Sequence, residues 1–469
     1  MDKVQIYIDR NDDLWMYFED WPDWHMPGPF LSCFDGRTMK FKKDIRLYGP
    51  KGNPRLTGMD PLFLSQDSEG NFVLGSDMGE VIKVDHKGEK LFTRYVQKKE
   101  RYFNSRNRYF VVNRKSFKFS KHISGLCMLS MTMDEQGEHI FMSDGSRCDH
   151  GEPLALTREG MLDYFFVLPF GPSAMCTRDG KLFLVDFYHG FIHITDFRGK
   201  WIGYLDVLSQ GNFDRYYRID EEGRLEHDSW RNGADEDHFI STICFAGEDT
   251  LAVALEEGDI ILIKTDGTVL RRIKSPYENA YPSTMASDSK GNIYVYYFSE
   301  QYRIGKPLGL YRFSQNGEMT GRFFKSIRSF FTSKERYLQD RIDNNEGDVY
   351  DYFELADIHA RKKKITTETI YLLRKAIELK PDFPLAMGYL GLSLKESGDV
   401  AGGMVYLEKA FSKIRCPELA SYVIDCCRLL NNREKGLRYH KLLIEKDKDN
   451  DTYYLSKKQL AYLGVKRKK

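Results

Sequence analysis

The sequence predicts a multidomain β + α protein, a six-bladed β-propeller followed by a short array of α-helical hairpins. Three observations carry that prediction. A step of 34 residues links Ala376, Ala410 and Ile444 in the last part of the chain. A strand–turn–strand unit opened by a polar Gly turn recurs six times before residue 325. Aromatic residues make up 14% of the chain, which leans the larger part toward β packing. With 469 residues the chain is long enough for two or more domains.

The β unit is clearest from Asp67 to Glu89 and from Asp288 to Glu318. Gly70-Asn71 in the first copy matches Gly291-Asn292 in the second. Such turns tolerate positive φ, which a tight reversal between strands requires. The strands that follow are Phe72-Val73-Leu74 and Ile293-Tyr294-Val295. Four weaker copies begin at Arg10, Asp134, Arg178 and Gly247, so the first turns fall near residues 12, 70, 137, 180, 248 and 291. One such unit cannot bury both of its faces alone, and repetition of the whole unit points to a propeller.

The DxxGN turn followed by an apolar strand resembles the NHL-type β-propeller, a six-bladed fold, over about the first 325 residues. NHL-like folds include lactonases and lyases whose metal ligands converge on the central channel. The resemblance therefore implies an alternative, an enzyme or small-ligand sensor acting at that channel.

The helical hairpins are expected over residues 350–383, 384–417 and 418–451, with 326–349 as linker and a capping helix ending at Gly464. In the second hairpin, Met404, Leu407, Phe411 and Ile414 form one apolar face. Leu390, Gly391, Leu394, Gly398, Asp399, Leu407 and Ala410 resemble the tetratricopeptide repeat (TPR), with Gly403 in place of the usual Ala. That family binds peptides in a concave groove. The resemblance places Asp351, Glu354, Ile358, Leu385, Leu392, Lys395, Leu419, Tyr422 and Leu429 along it. Partner contact is expected chiefly at Glu354, Leu385, Leu392, Lys395, Tyr422 and Leu429. Members that bind chaperones use a Lys/Asn clamp; here Glu354, Ile358 and Tyr389 stand at three clamp positions, which argues against that ligand.

Two insertions interrupt the β units. Residues 94–121 hold ten Lys or Arg and one acidic residue, with Tyr and Phe between them. Lys98, Lys99, Arg101, Arg106, Arg108, Arg114 and Lys115 form a basic patch. The first expectation is a solvated strand pair; an acidic protein or a nucleic acid is the alternative partner. Residues 206–238 are polar and acidic and read as a long surface loop, or as a flexible lid.

Metal and cofactor signals are weak. His189 and His193 would lie about 13 Å apart on a continuous strand, too far for one metal, unless a turn intervenes. Asp144, Asp149 and His150 lie in an oxygen-rich loop that lacks EF-hand spacing. No P-loop, GxGxxG, HExxH or GxSxG motif has a suitable setting, so no cofactor is expected. Net charge is +1, which excludes global steering toward nucleic acid or membrane. The eight cysteines form no CxxC pair, and no signal segment or membrane span is read, which suits a cytosolic protein. The leading reading is a non-catalytic scaffold that captures a partner segment in the helical groove, with the propeller loops as a second site.

Overall fold

The computed structural model describes residues 3–19, 30–47, 61–76, 80–98, 111–112, 117–119, 128–144, 153–166, 168–186, 189–208, 211–221, 223–227, 240–278, 280–299, 307–324, 327–361, 365–415, 417–446 and 455–465. The chain forms two compact units, one extending to Ile327 and the other beginning at Arg328.

The first unit is a six-bladed propeller, as the repeating turns predict. Blade 1 is β1 (Lys3–Ile8), β2 (Asp13–Glu19), β3 (Phe30–Asp35) and β4 (Phe41–Arg46). Blade 2 is β5 (Pro61–Gln66), β6 (Phe72–Ser76), β7 (Glu80–Val84) and β8 (Lys90–Lys98). The basic insertion then supplies β9 (Val111–Val112) and β10 (Phe117–Phe119). Blade 3 is β11 (Met128–Met133), β12 (His139–Asp144), β13 (Leu154–Thr157) and β14 (Leu162–Phe166). Blade 4 is β15 (Pro172–Arg178), β16 (Lys181–Asp186), β17 (Phe191–Asp196) and β18 (Trp201–Asp206). After it come α1 (Phe213–Tyr216) and the hairpin β19 (Tyr217–Ile219) and β20 (Leu225–His227). Blade 5 is β21 (Ile240–Phe245), β22 (Thr250–Leu255), β23 (Ile260–Lys264) and β24 (Val269–Ile273). Blade 6 is β25 (Tyr281–Ser287), β26 (Ile293–Phe298), β27 (Pro307–Phe313) and β28 (Met319–Phe323).

Strands within each blade are antiparallel and follow chain order outward. The first strand of each blade touches the first strand of the next, and β25 returns to β1, so six inner strands ring the axis. Apolar side chains fill the space between neighbouring blades. Trp15, Leu31, Leu64, Phe72 and Leu74 pack between blades 1 and 2. Phe183, Val185, Ile192, Ile243, Leu251 and Val253 do so between blades 4 and 5. Each such side chain contributes ~1.5–3 kcal/mol of transfer free energy.

The recurrent turn joins the first and second strands. The Asp67 carboxylate accepts the N–H groups of Glu69 and Asn71 at 2.9 and 2.8 Å. Asp288 accepts those of Lys290 and Asn292 at 3.0 and 2.8 Å. Gly70 and Gly291 close these turns at φ 83° and 71°, a conformation costly for side-chain-bearing residues.

The second unit is helical: α2 (Ile327–Asp343), α3 (Val349–Arg361), α4 (Thr367–Leu379), α5 (Pro384–Glu396), α6 (Val400–Ile414), α7 (Pro417–Leu429), α8 (Arg433–Lys446) and α9 (Lys457–Leu463). α3 pairs with α4, α5 with α6 and α7 with α8, and consecutive pairs stack. α9 closes the end, where Gln459 Nε2 donates to the Ser421 carbonyl at 2.7 Å and Tyr462 Oη to the Cys427 carbonyl at 3.1 Å.

Gly403, where the repeat pattern expects Ala, has a steric cause. A Cβ there would lie 2.5 Å from the Gly391 carbonyl oxygen, and one on Gly391 would lie 2.7 Å from the Gly403 oxygen. α5 and α6 therefore meet backbone to backbone. Gly403→Ala would gain ~1 kcal/mol of helix propensity but forces the helices apart at a cost of ~1–3 kcal/mol. The expected net result is destabilisation, measured as a lower denaturation midpoint.

Candidate functional site

The helical unit holds the residues expected to bind a partner. α5 has no exposed residue from Pro384 to Leu394. Leu385 is therefore buried, and Leu392 packs in one cluster with Leu419, Ala420 and Val423. The face at the start of the array is occupied by α2, within the segment expected to be linker. Lys334 Nζ meets the Glu354 carboxylate at 3.0 Å, with both side chains 2% exposed, and Arg341 Nε meets Asp351 at 3.0 Å. Glu354 and Leu385 thus face the interior.

Lys395, Tyr422 and Leu429 come to one surface. The Lys395 ammonium lies 5.4 Å from the centroid of the Tyr422 ring and 2.9 Å from Asp425 Oδ2. Tyr422, Asp425 and Leu429 stand at helical spacings of three and four on α7 and share a face. Leu429 is 48% exposed. Burial opposes ionisation of Asp425, but hydrogen bonds from Lys395 and Arg428 outweigh it and hold its carboxyl below the usual range.

Asp357 on α3 is a second polar group in this unit. It is 3% exposed. Burial pushes its carboxyl up to about 8, the nearby Glu354 charge adds to the rise, and the Tyr389 hydroxyl and Lys334 charge oppose it. The carboxyl is thus held neutral near pH 7.

In the propeller, Asp186 gathers a buried cluster within blade 4. Its Oδ2 lies 2.7 Å from His189 Nδ1 and 3.8 Å from His193 Nε2, and accepts the Tyr217 hydroxyl at 2.5 Å. The 13 Å separation of a continuous strand does not apply, because His189 belongs to the turn before β17 and Gly190 there takes φ 70°. His193 is fully buried and stacks on Phe170 at 4.2 Å, and this burial lowers its basicity despite the nearby carboxylate. For Asp186, burial is outweighed by the close contact with His189 and by the nearby His193 ring, which keep it well below the ordinary carboxylate range. Tyr217 belongs to the second insertion. The described part of that insertion is folded rather than an open loop: Phe213 stacks on Tyr204 at 3.7 Å, and Tyr216, Tyr217 and Leu225 join the core between blades 3 and 4. Its few apolar residues are concentrated where they cap the blade. Asp186 and His193 lie on the second and third strands, outside the inner ring, and the bond from Tyr217 to Asp186 ties the insertion down. Among the described residues no three His, Cys, Asp or Glu side chains are placed to hold a metal.

Lys98 ends β8, whereas Lys99, Arg101, Arg106, Arg108, Arg114 and Lys115 lie outside the described residues. The expected strand pair is present in part: Val96, Gln97 and Lys98 at the end of β8 pair with Phe119, Lys118 and Phe117 of β10. β10 extends blade 2 beside β8, and β9 extends blade 3 beside β14. Of the oxygen-rich loop, Asp144 ends β12, and Asp149 and His150 lie outside the described residues.

No protein-family model matches the chain, and no curated protein matches it. Among solved structures it is similar to a streptogramin B lyase, with 14% identity and a TM-score of 0.36 over 63% of this chain and 90% of that one. It is similar to the calcium-binding protein regucalcin from Agrobacterium tumefaciens, with 10% identity and a TM-score of 0.35 over 65% of this chain and 83% of that one. A TPR protein with an unusual peptide-binding site, YrrB, gives 13% identity and a TM-score of 0.25 over 26% of this chain and 63% of that one.

Asp357 sets a pH dependence. The folded chain keeps a proton up to about pH 8 that the unfolded chain releases from an ordinary carboxyl near 3.8. The folded state therefore binds more protons between these values, and its stability falls as pH rises through that window. Asp357→Asn is expected to remove this part of the decline. In denaturant melts, its stability relative to wild type should increase from pH 5 to pH 8, by an amount on the order of 3–5 kcal/mol. A constant difference across that range would contradict the assignment.

Proposed function

We propose that this chain is a non-catalytic protein–protein scaffold, in which the helical unit captures a segment of a partner and the propeller loops offer a second site. The proposed division is an NHL-like propeller over 1–325, a linker over 326–349 and a TPR-like array with its cap over 350–464. One observation carries the reading. Lys395 and Tyr422 from successive hairpins meet on one surface, and Leu429 stands exposed on the same face of α7. A cation, an aromatic ring and an exposed aliphatic side chain on rigid helices suit a short amphipathic peptide. The binding face is then narrower than the whole groove, because Glu354 and Leu385 serve the interior. A cytoplasmic setting is part of the proposal. It is supported by the free thiols of Cys33, Cys176, Cys244, Cys426 and Cys427. No described helix is long and apolar enough to cross a membrane.

The test is affinity capture with the full chain, followed by direct binding measurements on the protein recovered. Leu429→Asp and Tyr422→Ala are expected to weaken that binding by about tenfold or more, the equivalent of ~1.4 kcal/mol for a central contact. Tyr371→Ala, on the exposed surface of α4, is the control and should leave it unchanged. Equal binding by all three variants would overturn the assignment of this face.

A further inference from the structure

The propeller closes between blade 6 and blade 1, and a cleft of about 360 Å³ opens at that seam. Its walls are the first turn of blade 1 with Asp12, the third turn with Gly36 and Arg37, the Asp288–Asn292 turn, and Arg312 and Thr320 from the outer strands of blade 6. That volume lies in the range of small-molecule sites.

The charges of this cleft are not matched with one another. Asp12 accepts from the Ser289 backbone N–H and hydroxyl, each at 2.7 Å. Asp288 accepts from the backbone N–H groups of Lys290 and Asn292, from Asn292 Nδ2 at 2.7 Å and from the Tyr294 hydroxyl at 3.2 Å. Both carboxylates are thus spent on turns and on the seam. Arg312 is held in place by its Nη1, which donates to the carbonyls of Gly36 and Arg37 at 3.3 and 3.1 Å, and by its Nε, which donates to Thr320 at 3.0 Å. The exposed side chains of Arg37 and Lys290 make no ion pair among the described residues, although they line the same cleft. Three cations therefore face a recess with two carboxylates, an excess of one positive charge; Asp288 accepts four N–H and O–H donors, and Asp12 accepts two from Ser289.

The close approach that forms this wall is specific. A Cβ on residue 36 would lie 2.0 Å from the Asp12 carbonyl oxygen, so only glycine lets the two turns meet. The cationic groups are thereby brought together by backbone packing rather than by flexible loops.

From this arrangement we infer that the seam cleft binds the oxyanion of a small molecule, a carboxylate or a phosphate group. Arg312 supplies a fixed guanidinium, while Arg37 and Lys290 close on the ligand from the rim. Guanidinium and ammonium donors to such an anion form the stronger, charge-assisted class of hydrogen bond.

The test is calorimetric titration of the full-length protein at constant ionic strength, with sodium phosphate and sodium acetate as separate arms and chloride as the balancing anion. Saturable heat in either arm is expected, and the arm that saturates identifies the oxyanion. Arg37→Ala combined with Lys290→Ala should weaken that binding about a hundredfold, a factor of about ten for each charge-assisted contact of ~1.4 kcal/mol. An unchanged thermal midpoint would confirm that this variant is folded; if it falls, Lys290→Glu alone takes its place and should also abolish saturation. Non-saturable heats in both arms, or saturation that survives the substitutions in folded protein, would overturn the inference.

Discussion

The propeller depends on a seam that no strand crosses. Every described blade is built from strands consecutive in the sequence, apart from the short additions from the basic insertion. Among the described residues blades 1 and 6 share no hydrogen-bonded ladder, and side chains and turns join them. Gln5 accepts from the Thr284 hydroxyl at 3.2 Å in the buried inner ring. Further out, Ser289 binds Asp12, Tyr294 binds the Gly36 carbonyl at 3.0 Å, and Phe324 packs against Phe34 with ring centroids 4.8 Å apart and the planes tilted by 56°. A neutral hydrogen bond adds only ~1 kcal/mol net, so the seam relies on many small contacts acting together. Each blade needs a neighbour on both faces, and an open seam would expose the faces of two blades at once.

The same logic explains the repeated Asp turn. Asp9, Asp67 and Asp288 each fold back onto the backbone N–H groups two and four residues ahead. The turn satisfies polar groups that a reversal would otherwise leave bare. It also gives each carboxylate a second oxygen to use between elements. Asp9 takes the Trp15 indole N–H at 2.9 Å, and Asp67 takes Lys83 at 2.7 Å in a pair that is 0% and 6% exposed. Asp288 takes the Tyr294 hydroxyl, which reaches across to blade 1. One local motif thus supplies the turn and part of the packing between strands and blades.

Features fixed by local spacing could be read from the sequence. The six first turns and the three helical hairpins follow from Gly/Asp pairs and from apolar periodicity, which are properties of adjacent residues. Features that join distant residues could not. Asp186 meets Tyr217 across 31 residues, and Thr284 meets Gln5 across 279. The sequence left open either a continuous strand or a turn near His189, and the turn at Gly190 is what brings His189 to Asp186. The polar composition of the second insertion masked Phe213, Tyr216 and Tyr217, whose rings join Leu225 in the core between blades 3 and 4. α2 was obscured by its charges, yet Lys334 and Arg341 are the groups that seat it against α3.

The helical array shows how composition can overrule a family's geometry. From Pro384 to Leu394 the chain carries no charged residue. A helix that is apolar on every side belongs in an interior, whatever surface its repeat position suggests. That rule places Leu385 and Leu392 inside, and the structure agrees. Charge returns at Lys395, at the end of α5, and in Asp425 and Arg428 on α7. Lys395 and Arg428 both bind Asp425, and Lys395 lies over the Tyr422 ring, while Leu429 at the end of α7 keeps nearly half its surface in solvent. Leu429 thus stands as a half-exposed aliphatic side chain beside an ionic cluster whose charges are paired.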